Sequence, residues 1–215
     1  MLKVISVNVN GIRSAAKKGF FDWLKNQKAG VICIQEVRAW VDQLDAPVFW
    51  PRNYHVCYRQ ASKKGYSGVA ILSRRKPDRV IDHIGFEPFD SEGRYLQYDF
   101  GKLSIASLYL PSGSSGEVRQ DFKFEVLEFF EHYLKKLRRR QWGYQDSFRV
   151  VNQKPHQYTW WSNRGQAWDN NVGWRIDYQV VTPGLKSKIS RASIYKRKRF
   201  SDHAPLTIQY DIADK

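Results

Sequence analysis

Two short apolar runs constrain this chain most. Gly30-Val31-Ile32-Cys33-Ile34-Gln35 and Gly68-Val69-Ala70-Ile71-Leu72 are each bounded by glycine and apolar at almost every position. Runs of this length read as buried strands, too short for a globular helix and far short of the ~20 residues of a membrane span. Lys3–Asn8, Arg175–Val181 and Pro205–Tyr210 alternate as further strands, and Tyr95–Phe100, a Gly101-Lys102 turn and Leu103–Leu110 read as a hairpin. Helical spacing places one helix over Ala15–Gln27, weakened by Gly19. A longer helix begins near Ser114-Ser115, with Val118, Phe122, Val126, Phe129, Phe130, Tyr133 and Leu137 on one stripe. It ends in Lys135-Lys136-Leu137-Arg138-Arg139-Arg140, where cations suit the helix dipole. The mixture predicts one layered α+β domain over residues 1–215.

The charge narrows the partner. Lys and Arg number 36 against 21 Asp and Glu, a net +15, which favours polyanions, of which nucleic acid is the commonest. Two cysteines, Cys33 and Cys57, make neither a disulfide framework nor a cysteine-based zinc site and read as small buried hydrophobes. The first residues lack a signal-peptide pattern, so a cytoplasmic protein with no membrane partner is expected.

Five polar constellations sit at or after strand ends. Asn8-Val9-Asn10-Gly11 closes the first strand; its ordinary reading is an Asx-type turn. Gln35-Glu36 ends a buried strand, where a carboxylate suits a hard cation such as Mg²⁺. Tyr109 precedes Leu110-Pro111-Ser112-Gly113 and offers a phenol to a phosphate oxygen or to simple packing. Tyr158-Thr159-Trp160-Trp161 and Gly173-Trp174-Arg175-Ile176-Asp177 combine rings that stack on bases or sugars with an Arg that suits phosphate, though core aromatics look the same. Ser201-Asp202-His203 follows the basic run Lys196-Arg197-Lys198-Arg199 and offers a metal or water contact beside an imidazole able to move a proton.

In this order, Asn-x-Asn-Gly, Gln-Glu, Gly-Tyr-Ser-Gly-Val, Tyr-x-Pro, Gly-Trp-Arg-x-Asp and Ser-Asp-His closely resemble the exonuclease III family of abasic-site endonucleases, within the endonuclease/exonuclease/phosphatase superfamily. Gly-Tyr-Ser-Gly-Val and Gly-Trp-Arg-Ile-Asp narrow the match to the DNA-repair branch and, with the positive charge, speak against relatives acting on lipid or inositol phosphates. The resemblance implies a four-layered αββα sandwich and a phosphodiester hydrolase dependent on Mg²⁺ (or Mn²⁺). Its substrate would be double-stranded DNA with abasic sites or blocked 3′ ends, taken by a monomer. It implies Glu36 as principal metal ligand with Asn8 and Asp202 close by, and Asn10 in the metal-side network or on a phosphate. Tyr109 would bond the scissile phosphate, Asp177 would orient His203, and His203 would contact the phosphate or move a proton. Trp160 and Trp174 would line the pocket for an extruded sugar, with Arg175 in the same motif. Arg38 stands where the family often has Lys.

One family element is missing. A strand ending in Gly-Asp-x-Asn is expected between the long helix and Tyr158, and the sequence holds no Gly-Asp dipeptide. The long helix runs straight into Gln141-Trp142-Gly143-Tyr144-Gln145-Asp146. This predicts an internal deletion near 140–141, one lost core strand, and impaired chemistry, because in the family that Asp is thought to position or deprotonate the attacking water. The alternative is a catalytically dead DNA-binding remnant. Asp169-Asn170-Asn171 matches Asp-x-Asn by letters with no apolar strand leading into it, and Asp146 reads as a loop or helix-end residue.

Overall fold

The computed structural model describes residues 1–112, 116–137 and 143–212, with side chains 136 and 137 outside that description. The expected 140–141 junction, the Ser114-Ser115 cap and the Arg138–Arg140 run therefore lie outside the described residues.

The elements in chain order are β1 (Leu2–Asn8), α1 (Ile12–Lys17), α2 (Phe20–Lys25), β2 (Val31–Gln35), β3 (His55–Arg59), β4 (Val69–Ser73) and β5 (Arg79–Ile81). There follow α3 (Glu87–Asp90), β6 (Tyr95–Phe100), β7 (Leu103–Leu108), α4 (Glu117–Leu137), β8 (Gln145–Asp146) and α5 (Ser147–Val151). The chain closes with β9 (Val180–Val181), α6 (Pro183–Lys186), β10 (Ile189–Ile194) and β11 (Leu206–Tyr210). Six strands form one sheet in the order β10-β11-β1-β2-β4-β3, in which β1 and β2 run parallel and the other neighbours antiparallel. Both apolar runs singled out in the sequence are central strands, β2 and β4, buried at every position. A strand covered on both faces has no polar side to alternate with.

Strand alternation distributes the core. One face of the large sheet (Ile5, Val7, Ile32, Ile34, Leu72) packs on Ile12, Phe20, Phe21 and Leu24 of α1 and α2. The other face (Val4, Cys33, Ile71, Leu206, Ile208) meets Leu96, Tyr98 and Phe100 of β6 and Phe148 of α5. Across β6, Tyr95 meets Val126, Phe129 and Tyr133 of α4. The result is a mixed α/β fold of the expected kind. Among the described residues, no helix is long and apolar enough to cross a membrane.

Three local expectations are corrected. The single helix over 15–27 is two helices, because Gly19 takes a left-handed backbone (φ 84°) that ends one turn and starts the next. Val118 is exposed rather than on the packed stripe of α4. Residues 175–179 are outside any ladder, and only Val180 and Val181 pair, with β8.

That last departure has a visible setting. β5-β6-β7 form a three-stranded sheet and β8-β9 a separate ribbon, so β7 pairs only with β6 among the described residues. Residues 172–180 still alternate: Val172, Trp174, Ile176, Tyr178 and Val180 are 47–68% exposed, whereas Gln179 is buried and donates to the Val4 and Leu206 carbonyls. Five apolar side chains are thus exposed along one segment.

Candidate active site

The site is built where chain segments continue pairing past the strand ends. Beyond β1 and β2, Gly11 N–H donates to the Glu36 carbonyl (2.8 Å) and Ile12 N–H to that of Val37 (3.0 Å). Arg38 N–H and Val37 N–H donate in turn to the carbonyls of Ser67 and Gly68. Asn10, Glu36, Arg38 and Ser67 all hold positive φ, between 45° and 52°. Such backbone persists where the surroundings over-determine it, and here four instances gather at one end of the sheet.

Glu36 is nearly buried, and both its oxygens are engaged. The Tyr109 hydroxyl donates to Oε1, and the Arg38 guanidinium lies 2.9 Å from Oε2. Burial, then the Glu36 charge and hydrogen bond, push the Tyr109 pKa well above its usual range, against the pull of Arg94 and Arg38. The phenol therefore stays a proton donor. Tyr109 is placed at the end of β7 through its N–H, which donates to the Arg94 carbonyl at 2.9 Å.

The opposite wall comes from the segment before β11. The Ser201 hydroxyl bonds the Asn8 carbonyl (2.7 Å) and accepts from His203 N–H (3.0 Å), tying the start of this wall to the end of β1. Asp202 accepts from Asn10 Nδ2 at 2.9 Å and from Trp160 Nε1 at 3.0 Å. Burial works against its charge, and Asn10, His203 and Trp160 more than compensate, holding its pKa low. Asn8 Oδ1 accepts the Asn10 backbone N–H, the Asx turn expected from sequence. His203 Nδ1 lies 2.8 Å from Asp177 Oδ2. Buried Thr159 fixes Asp177 by accepting the N–H groups of Ile176 and Asp177. Trp160 bridges to both Trp174 and His203, and its ring centroid lies 5.7 Å from that of the exposed Trp174. Gly173 makes this approach possible, since a Cβ there would stand 2.4 Å from the Trp160 carbonyl oxygen.

Burial by itself favours the neutral imidazole of His203. The Asp177 hydrogen bond and charge, with Asp202 and Glu36, outweigh it, so His203 holds its proton to a higher pH than a free imidazole. Stability from this pair is complete below the unfolded pKa of about 6.5 and is lost as pH rises through the higher folded value. Asp177→Asn is therefore expected to destabilise the metal-free protein most below about pH 6.5, and less above the folded pKa. Urea unfolding across that range checks it; a cost growing with pH contradicts the dyad.

Nine of the ten residues singled out in the sequence stand in these connected walls. Arg175 does not: its guanidinium pairs with Asp146 at 2.6 Å and lies 4.4 Å from the centre of the Tyr178 ring. Arg175 shares the inward side of this segment with Asp177, but two residues earlier it meets the β8 carboxylate instead of His203, as a tie between segments. Neither match to the missing letters stands in for it. Asp146 caps α5 while pairing with Arg175, Asp169 is exposed in a turn, and Asn171 accepts from Trp161 and donates to the His156 carbonyl. The basic run is partly packed, with Lys196 over the Trp161 ring and Arg199 over Trp168. Sequence reasoning missed Glu92, Arg94 and Arg119, which join Tyr66 and Tyr109 through ion pairs and hydrogen bonds. No motif marks them.

Among the described residues there is no group of three or more His, Cys, Asp or Glu side chains poised around a metal. The donors that do gather, the Glu36 and Asp202 carboxylates and the Asn8 amide oxygen, are all hard oxygens, the set that Mg²⁺ prefers with water and phosphate completing its shell.

The chain matches the Endonuclease/Exonuclease/phosphatase family over residues 5–147 and again over 126–203. It is 33% identical to an exodeoxyribonuclease of Bacillus subtilis, over 98% of this chain and 100% of the relative. That alignment spans 255 positions against 215 residues here, so at least 40 of its positions face no residue of this chain. It is 27% identical to a DNA-(apurinic or apyrimidinic site) endonuclease of Dictyostelium discoideum, over 98% of this chain and 71% of the relative. Among solved structures, an AP endonuclease from Archaeoglobus fulgidus superposes with a TM-score of 0.87 at 24% identity, covering 99% of this chain and 100% of the other.

Proposed function

Since this chain belongs to the Endonuclease/Exonuclease/phosphatase family, we propose that it is a Mg²⁺-dependent DNA-repair hydrolase of the abasic-site endonuclease and exonuclease III type. Its substrate is double-stranded DNA carrying abasic sites or blocked 3′ ends, which it takes as a monomer. The observation that carries this reading is the facing pair of walls: Glu36 bonded by Tyr109 on one side, and Asp202 beside the Asp177–His203 dyad on the other. The three core clusters support an αββα stacking, with α1 and α2 outside one sheet and α4 outside the other.

The site's own residues divide the work. Glu36, with Asn8 and Asp202 beside it, holds Mg²⁺, and Mn²⁺ suits the same oxygens. When bound, the ion supplies Lewis-acid stabilisation of charge on a phosphoryl oxygen. Tyr109 turns its hydroxyl hydrogen from Glu36 to the scissile phosphate, and Asn10 bonds a phosphate oxygen or steadies Asp202. His203, oriented and kept protonated by Asp177, donates to the developing oxyanion. Trp160 and Trp174 wall the pocket for an extruded sugar, which forfeits little stacking when it carries no base. The +15 charge supplies sequence-independent affinity that weakens with salt.

The chain lacks the family's Gly-Asp-x-Asn strand. Three observations support this: the surplus of alignment positions, two family matches that overlap at 126–147, and a β7 that, among the described residues, pairs only with β6 while β8 and β9 form a separate ribbon. Activity is accordingly low, and the same observations favour a second reading, a DNA-binding remnant without catalysis. Duplex DNA with one abasic analogue, incubated with Mg²⁺ or with chelator, separates them. Slow Mg²⁺-dependent incision is expected. Salt-sensitive binding without incision at high enzyme concentration establishes the remnant.

A further inference from the structure

We propose that Arg94 is a positioning residue for Tyr109, held in place by Glu92 and Arg119. Arg94 is 2% exposed, so it has no face to offer substrate. Its three guanidinium nitrogens have separate partners: Nε donates to Glu92 (2.5 Å), Nη1 to the Tyr109 carbonyl (3.0 Å) and Nη2 to the Tyr66 hydroxyl (2.9 Å). The guanidinium also lies 4.6 Å from the centre of the Tyr109 ring. Tyr109 is thereby gripped by its carbonyl, by its ring face and, through the Arg94 carbonyl, by its N–H.

The grip is itself anchored. Arg119, in the first turn of α4, donates to both Glu92 oxygens (2.8 and 3.2 Å) and to the Tyr66 hydroxyl (2.9 Å). Glu92 thus bridges two cations and offsets part of their repulsion across one phenol, and despite its partial burial they hold its pKa low. Gly93 (φ 60°) lies so close to the Gln60 carbonyl that a Cβ would stand 2.5 Å from its oxygen, which fixes where Arg94 enters β6. The planar three-way fork is a geometry that Lys cannot reproduce. The network therefore sets where the Tyr109 hydroxyl points, between Glu36 and the incoming phosphate. The catalytic part of this inference rests on the nuclease reading above; the grip on the ring does not.

The test uses the full chain with ¹³C-labelled tyrosine rings, the Tyr109 signal being identified by its loss in Tyr109→Phe. In Arg94→Met the Tyr109 signal is expected to shift and broaden, while tyrosine signals other than those of Tyr66 and Tyr109 stay in place. With an abasic duplex, kcat is expected to fall about 10²-fold, as for a group displaced by ~1 Å, with KM little changed. In the Tyr109→Phe background the same substitution is expected to have little further effect. Arg94→Lys, which keeps a cation on Glu92, is expected to show the same pattern at smaller amplitude, and serves should Arg94→Met not fold. An unmoved Tyr109 signal, or an equal kcat loss in both backgrounds, overturns the proposal. If the parent chain does not cleave at all, the nuclease reading falls and the ring signal alone decides the role of Arg94.

Discussion

Glu36→Gln is expected to lower Mg²⁺-dependent incision of an abasic duplex by about 10³-fold. Glu36 directly follows β2, and Gln keeps its shape while removing its charge. The amide oxygen can still accept from Tyr109, so the wall built by β2 and β7 survives. Arg38 loses its partner but is nearly half exposed, so water takes over and the stability cost is at most ~1 kcal/mol. What disappears is the negative charge that holds the ion. A metal-bound phosphoryl oxygen is stabilised by several kcal/mol, and about 4 kcal/mol is three factors of ten in rate. Affinity for DNA and its salt dependence are expected to change little, because they come from charge spread over the surface. Incision rate, Mg²⁺ titration and DNA binding measured on one preparation separate these effects. Incision equal to that of the parent chain points to a contaminating nuclease; loss of DNA binding alongside incision points to collapse of the site.

The sequence exposed the site to the extent that its residues lie at strand ends. Asn8 and Glu36 were legible because each stands at the end of a short, largely apolar strand, so its side chain emerges at the sheet's edge, whereas Asp202, which follows a basic run and precedes β11, was legible only through its motif with His203. The Asp177–His203 pair, 26 positions apart, was visible through two motifs and not through spacing. The Arg94–Glu92–Arg119 network was not visible. Arg94 reaches Tyr109 across a hairpin, and Arg119 reaches Glu92 from a different helix, so no local pattern connects them. Periodicity also failed where backbone geometry overrules it. The apolar spacing of Ile12 to Leu24 runs straight across Gly19, yet a left-handed glycine divides the helix. Over Arg175–Val181 the alternation predicts a strand, but a strand needs neighbours, and the ladder forms only at Val180-Val181. Arg175 shows the same limit at one residue. Its motif membership suggested a phosphate contact, whereas its guanidinium pairs with Asp146, a partner 29 positions earlier that no local pattern marks.

If the chain has the proposed deletion near 140–141, grafting the family's Gly-Asp-x-Asn segment at that junction is expected to raise the incision rate by about 10²–10⁴-fold, the usual worth of a positioned general base. The same graft is expected to stabilise the fold for an independent reason. Among the described residues β7 pairs only with β6, the β8–β9 ribbon belongs to neither larger sheet, and Val172, Ile176, Tyr178 and Val180 are exposed. A strand between β7 and residues 174–181 would take up the edge, and a helical segment after it would cover the apolar stripe. Each fully covered aliphatic or aromatic side chain contributes about 1.5–3 kcal/mol, less what ordering the new segment costs. The two gains separate in a second graft whose Gly-Asp-x-Asn aspartate is replaced by alanine. That graft should keep the higher unfolding midpoint and lose most of the rate increase. Should the alanine graft cleave as fast as the first, the rate gain comes from repaired packing of the walls that hold Tyr109 and His203. Should neither graft raise the unfolding midpoint, the β7 edge and the exposed stripe do not mark the place of a missing strand.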